Sequence, residues 1–539
     1  MTGPRWEPSG AGEGRPAPRR GRRRALAAVV LAAWLTTVGW HVRREYFQPE
    51  LTRLAEAALA SLAPGSHFFS VTMEGVAIGL ASSRLDTLPD GFLLEDLLTL
   101  ELPALGQTGT AVARTRVSLT PALRMRDFAF TLDSEGGRFQ STGRVLGDTL
   151  LQVTVEAGGR PEEVGFRLSE PPVFAAALPI RVALGGGLQV GNRMRFQVFD
   201  PSTLSTRPVE IRVLEYDTLL VADSAAMEPG SLRWTAARFE SVPAWRISEE
   251  FGGIRMESWI DGQGRIVRSS SPLGFALERT EYELARQAQE VGREAGARSA
   301  PDLILNTAIA SNVELGAVEE HRELRFVLRG VELAGFELDG GRQELRGDTL
   351  VVRREEWGSL APGYTLPYPR MDLRGALEPE PLIQSGDPRI VEEARRAVDW
   401  YGSWRHDPRD AALRLNRRVY QMLDKSVTFS VPSALQVLES RAGDCNEHTV
   451  LFVAMARALG LPARTAVGLV YLDGAFFYHA WPEVWLGEWV AMDPTFGQGP
   501  ASAAHLRFVT GGLAQQVEIV RLIGQLRIEV LTPGSAEEE

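Results

Sequence analysis

Cysteine and lysine are almost missing from this 539-residue chain, which holds one of each, Cys445 and Lys425. A lone thiol excludes any disulfide within the chain. With no cysteine near the N-terminus, a lipidated N-terminal cysteine is excluded too. A single lysine leaves almost no side-chain amine for the chain to offer. Cationic surplus is also lacking. The formal net charge of -11 argues against nucleic acid as a partner for the bulk of the chain. Long apolar runs are scarce. The strongest candidate, Ala25–Trp40, has sixteen uncharged residues, at the short edge of the roughly 20 that span a bilayer.

That run is framed by charge of one sign. Arg15, Arg19, Arg20, Arg22, Arg23 and Arg24 precede it, and Arg43 and Arg44 follow. The heavier load on the N-terminal side keeps that side cytoplasmic. The rival is a cleaved signal peptide, but its best small-residue site, Thr37-Val38-Gly39, is poor. A signal anchor at 19–45 is expected, single-pass in the cell membrane, with the bulk of the chain exported to the periplasm or beyond. Export sharpens the cysteine question. Exported cysteines usually pair, so a solitary one is either a buried inert thiol or a reactive one.

Beyond a Pro-, Gly- and Arg-rich tail at 1–18, expected to be disordered, strand-like runs dominate. Phe68–Met73, Asp127–Leu132, Leu150–Glu156 and Arg195–Phe199 are separated by turn signals such as Glu135-Gly136-Gly137 and Asp200-Pro201. An antiparallel β-rich domain over 46–298 follows, closing on a charged connector helix at Thr280–Arg298. A second β-rich segment and Pro-rich linker are expected at 299–385, with strands at Glu323–Leu328 and Thr349–Arg353. From 386 to 532 the character changes to α+β, opening with helices at Arg389–Arg405 and Asp410–Leu423. Residues 533–539 form an acidic tail. The fold class is thus multidomain: membrane helix, antiparallel β-rich middle, and an α+β C-terminal core.

Cys445 opens a helix in that core. Asp444 serves as N-cap and Glu447 completes a capping box. Free N–H groups and the helix dipole favour a thiolate there, while the Asp444 carboxylate opposes it. Val450–Ala456 is apolar nearly all round, so the helix is central and buried. Gly460 and Pro462 end it. Strands follow at Arg464–Tyr471 and Ala475–Leu486, then Trp489–Met492, which Asp493-Pro494 terminates. His479 and Asp493 therefore sit on neighbouring antiparallel strands. A two-residue turn at Gly487-Glu488 would put them on opposite faces. A bulge near Trp481–Glu483, or a turn one residue longer, puts them on the same face. Cys445 then attacks an acyl carbonyl, His479 moves the proton and Asp493 orients His479. The Cys445 N–H is one oxyanion donor, with Gln436 or an indole N–H as candidates for the second.

Three stretches carry a resemblance: Pro432-Ser433-Ala434 through Gly443-Asp444-Cys445, Ala458 through Arg464, and Tyr478 through Trp485 with Trp489 through Thr495. Here the chain resembles the transglutaminase-like superfamily of papain-fold thiol enzymes, over roughly 390–530. The resemblance implies a Cys445–His479–Asp493 triad acting on an amide of a peptide, protein or cell-wall peptide, by hydrolysis or acyl transfer. Animal members use calcium. No acidic calcium loop is present, so neither metal nor cofactor is expected.

Singly, each residue has a bland reading. Cys445 is a buried thiol, His479 a core histidine, Asp493 a strand-end turn residue. Together they favour a site. His448 reads as capping or packing, and Trp481 as the one aromatic of its cluster kept for the cleft. The rival from another class is a catalytically idle domain in an envelope binding or scaffold protein.

Overall fold

The computed structural model describes Trp34 and residues 49–105, 107–147, 150–168, 170–251, 254–295, 302–402 and 406–531. The chain divides into two compact units, Met1–Leu54 and Ala55–Glu539. The expected tail at 1–18, the anchor, apart from Trp34, and the acidic tail fall outside the described residues. Among the described residues, no helix is long and apolar enough to cross a membrane.

Among the described residues, the β-rich region is one antiparallel sheet of fifteen strands with a single parallel pair at its edge. Neighbours in sequence are neighbours in space on both arms, and Gly65–Met73 pairs with Phe275–Thr280 to join the arms. The two edge strands, Glu162–Arg167 and Val173–Phe174, are separated by only a few residues. A chain reaches at most about 3.5 Å per residue, so the sheet must curl until its edges approach. Rings close the seam: Phe199 lies 5.1 Å from Phe128 and 6.3 Å from Phe166, centroid to centroid. The expected connector helix spans Tyr282–Ala295.

The second β-rich segment completes its sheet with the end of the chain. Gln343–Arg346, Thr349–Arg353 and Glu323–Arg329 are joined by Arg527–Leu531. Phe326, Leu328 and Leu350 from this layer share one buried core with Leu469, Phe476 and Phe508 of the next sheet. Residues 323–353 thus back the C-terminal core directly.

That core opens with helices at Pro388–Val398 and Pro408–Met422, each N-capped by an aspartate with proline in the first turn. The first is shorter than expected. Asp399 adopts a left-handed conformation (φ 55°) and ends it before Arg405. The cysteine helix, Cys445–Ala458, is buried continuously from Glu447 to Arg457. Gly460 stops it at φ +73°, where a Cβ would meet Pro367 Cβ at 2.3 Å. Against this helix lies a five-stranded antiparallel sheet. The histidine strand (Ala475–Trp485) is flanked by Ala463–Leu472 on one side, and by Ile309–Ala310 and Trp489–Ala491 on the other. His505–Thr510 pairs beyond Ala463–Leu472.

Candidate functional site

Register decides whether His479 and Asp493 can meet. The histidine strand pairs with Ala463–Leu472 without interruption, so there is no bulge at Trp481–Glu483. The hairpin turn supplies the needed parity instead. Trp485 pairs with Trp489, leaving Leu486, Gly487 and Glu488 in the turn, one residue more than the tight alternative. Gly487 takes φ +95° there, and the Leu486 N–H donates to the Glu488 carbonyl at 2.8 Å. The Met492 N–H continues the ladder to the Pro482 carbonyl. Asp493 consequently falls opposite Trp481, on the same face as His479 two residues away.

His479 Nε2 is 2.8 Å from Asp493 Oδ2. Both side chains are buried. With Nε2 committed to the carboxylate, Nδ1 is the ring atom left for a thiol. On its other edge the histidine strand pairs with Ile309 at Phe476 and with Ala491 at Glu483. Between these two points the N–H of Ala480, next to His479, acts on the Cys445 thiol.

Asp493 serves more groups than the sequence indicated. Its Oδ2 also receives His505 Nε2 at 2.9 Å, and His505 Nδ1 meets Ser502 Oγ at 3.1 Å. Its Oδ1 accepts the N–H groups of Thr495 (2.7 Å) and Phe496 (3.1 Å). Burial pushes the Asp493 carboxyl up, but the His479 charge and the hydrogen bonds from both histidines outweigh it. The group stays far below the ordinary carboxylate range. His479, Asp493 and His505 bring ligand atoms within 4.8 Å of one another, close enough to hold a metal ion. The hydrogen bonds already account for their arrangement.

His505 was missed because a lone histidine at the start of a short strand reads as core. Its signal is the inward position in His505–Thr510, three residues after Ser502. His505 is held below the usual imidazole range chiefly by burial, and so is His448. In the unfolded chain both take a proton near pH 6.5. Below that pH each of these two histidines binds its proton in the unfolded state and not in the folded one, so their contribution to stability is complete above about 6.5 and is lost as pH drops below it. Denaturation midpoints compared at about pH 5 and pH 7 should therefore differ less for His505→Gln than for the wild type. An equal or larger difference would count against this account.

The cysteine helix begins as expected. Asp444 accepts the Asn446 N–H (2.9 Å), and Glu447 Oε2 accepts the Asp444 N–H (3.0 Å). Such a cap stabilises a helix by about 0.5–2 kcal/mol. Thr428 and Ser430 hydroxyls donate to the other Glu447 oxygen. Burial pushes the Cys445 thiol well up, with Asp444 adding to it and the Ala480 N–H opposing. Burial and the Asp444 carboxylate thus work against the thiolate that the helix dipole favours. Asp444 is itself pushed up by burial and by Glu447. Asp444→Asn keeps a good cap and removes the anionic neighbour. It should move the pH profile of Cys445 alkylation by iodoacetamide to lower pH. An unchanged or upward-shifted profile would remove Asp444 from the account.

Other expectations are redistributed. Gln436 Nε2 donates to the Arg138 carbonyl of the β-rich region, so it is spent as a tie and not free for an oxyanion. Trp481 is fully buried among Ala466, Ala491 and Ala501 and does not reach the cleft. Phe496 takes that place, stacked on His479 at 5.1 Å and 37% exposed. His448 Nδ1 bonds the Asp444 carbonyl at 2.7 Å, a capping contact, and its Nε2 has no partner.

A family model described as the transglutaminase-like superfamily matches residues 398–494. No curated protein matches the chain. Solved structures with similarity include a candidate cysteine protease from Cytophaga hutchinsonii, 17% identical, covering 38% of this chain and 83% of that one (TM-score 0.27). A β-barrel-like protein from Brucella abortus is 12% identical and covers 40% of this chain and 95% of that one (TM-score 0.30). The periplasmic domain of TgpA from Pseudomonas aeruginosa is 18% identical, covering 34% and 75% (TM-score 0.22). With the cysteine helix and the histidine strand both inside the matched range, the C-terminal part of this chain carries a transglutaminase-like superfamily domain at 398–494.

Proposed function

We propose that the chain is a membrane-anchored cysteine enzyme that breaks or exchanges an amide bond in a peptide, protein or cell-wall peptide outside the cytoplasm. One observation carries the reading. Cys445, at a helix start, sits under the Ala480 N–H beside His479, whose far nitrogen is held by a buried Asp493. The Cys445 sulfur attacks the acyl carbonyl while His479 Nδ1 takes the thiol proton. The sulfur–carbon bond forms, the carbon–nitrogen bond breaks, and His479 returns the proton to the leaving amine. Asp493 holds the imidazole in the tautomer that accepts at Nδ1 and stabilises its cation. The Cys445 N–H, in the first turn of its helix, faces the developing oxyanion. Water or an amine then resolves the thioester. The arginine-flanked run Ala25–Trp40 supports the anchor and the export.

The raised thiol favours one other reading, an idle domain serving as an envelope scaffold. The two separate in one experiment. Full-length protein is incubated with p-nitrophenyl acetate, acid-quenched and mapped by mass spectrometry. An acetyl group on Cys445, absent in Cys445→Ser, supports the enzyme, and added primary amine then distinguishes transfer from hydrolysis. No adduct on Cys445 supports the scaffold.

A further inference from the structure

A cavity of about 160 Å³ lies on the face of the cysteine helix that carries Asn446, Thr449 and Val450. That volume is close to the roughly 150 Å³ that encloses a benzene ring, so it suits an amino-acid side chain and not a chain segment. Ala480, whose N–H meets the Cys445 sulfur, also lines it. Through Asn446 and Ala480 the cavity adjoins the two segments that carry Cys445 and His479.

Two features mark it as a built site. The first is Thr449, which is fully buried. A helical threonine hydroxyl usually turns back to the carbonyl one turn earlier, yet Thr449 Oγ1 has no hydrogen-bond partner, and Thr449 is one of the residues lining the cavity. A buried hydroxyl without a partner costs about 1–3 kcal/mol, which a ligand atom would recover. The second is the opposite wall. Thr203 and Leu204 reach it from the β-rich region, on the turn between strands Arg193–Asp200 and Ser205–Met227. This turn is fixed and not loose. Leu204 takes φ +52°, and Arg207 ties the strand to the Ala514 carbonyl and to Glu518. Charge is balanced as well. Glu380, which lines the cavity, is paired with Arg457 at 2.7 Å.

We propose that this cavity receives the side chain beside the carbonyl that Cys445 attacks, and that it selects a compact uncharged side chain carrying one hydrogen-bonding atom. Thr449 reads that atom, and Leu204 of the β-rich region sets the size limit. The inference rests on Cys445 being the nucleophile.

The test uses p-nitrophenyl esters of N-acetylated glycine, valine, threonine, glutamate and arginine on the full-length protein, read as acylation of Cys445. The sulfur–carbon bond forms, the ester carbon–oxygen bond breaks, p-nitrophenolate leaves, and the thiol proton passes to His479. Valine and threonine have the same shape, so their ratio isolates the hydroxyl. Wild type should acylate with threonine about tenfold faster than with valine, and with either faster than with glycine, glutamate or arginine. Thr449→Val should bring the threonine:valine ratio to one or below. Leu204→Trp, a change on the cavity's outer wall, should bring the valine:glycine ratio to about one. Equal rates across the series, or ratios that neither variant alters, would overturn the cavity while p-nitrophenyl acetate still acylates Cys445. Failure of the plain acetate ester would instead overturn the catalytic reading, and this inference with it.

Discussion

His479→Ala is expected to slow acylation of Cys445 by about 10²–10⁴-fold, the usual contribution of a positioned general base. The environment of the thiol puts the effect toward the upper end. Burial and Asp444 hold the proton on sulfur, so little thiolate stands ready without a base. Stability should change much less. His479 donates one hydrogen bond to Asp493, which keeps its bonds from His505, Thr495 and Phe496. Acylation rates with p-nitrophenyl acetate, beside denaturation curves, check both parts. A rate within a few-fold of wild type in a folded His479→Ala protein would end the triad reading.

Asp493→Ala should fail in both respects. The carboxylate is fully buried and accepts four hydrogen bonds, two from imidazoles and two from backbone N–H groups. Removing it strands four donors away from water, at a cost of roughly 3–5 kcal/mol, the loss seen when one partner of a buried charged pair is deleted. Asp493→Asn separates the roles. An amide must aim its NH₂ either at the histidines or at the two backbone donors, so part of the network is lost either way. With the NH₂ on His479 Nε2, the ring proton moves to Nδ1, which can no longer accept from sulfur. Acylation should then fall by about 10²–10⁴-fold, with a smaller loss of stability than in the alanine variant. Unchanged acylation in Asp493→Asn would show that the carboxylate does not set the tautomer.

The local parts of the site were legible. Asp444, Cys445 and Glu447 lie within one turn, so a capping box and a nucleophile at a helix start can be read from spacing. The buried central helix was legible too, because an apolar run allows no exposed face. The pairing of His479 with Asp493 was readable only as a condition. A bulge and a longer turn shift parity equally, and the backbone of Leu486-Gly487-Glu488 chose the turn. The thiol's state was not legible. Dipole and carboxylate oppose each other in sequence, and the burial that tips the balance comes from the packed fold.

What the sequence determined by itself is whatever neighbours in the chain can decide: strand and helix, caps, turns, and three chemically apt residues in a fixed order. What only the tertiary structure decided joins distant segments. His505 reaches Asp493 from another strand. Gln436 is spent on Arg138, 298 residues away. Trp481 goes inward while Phe496 stacks on His479. Thr203 and Leu204 wall a cavity that Asn446 and Ala480 also line. The physical reason is common to all four. Hydrogen bonds and burial act through space over a few ångströms, and no local spacing encodes which distant segment will arrive there.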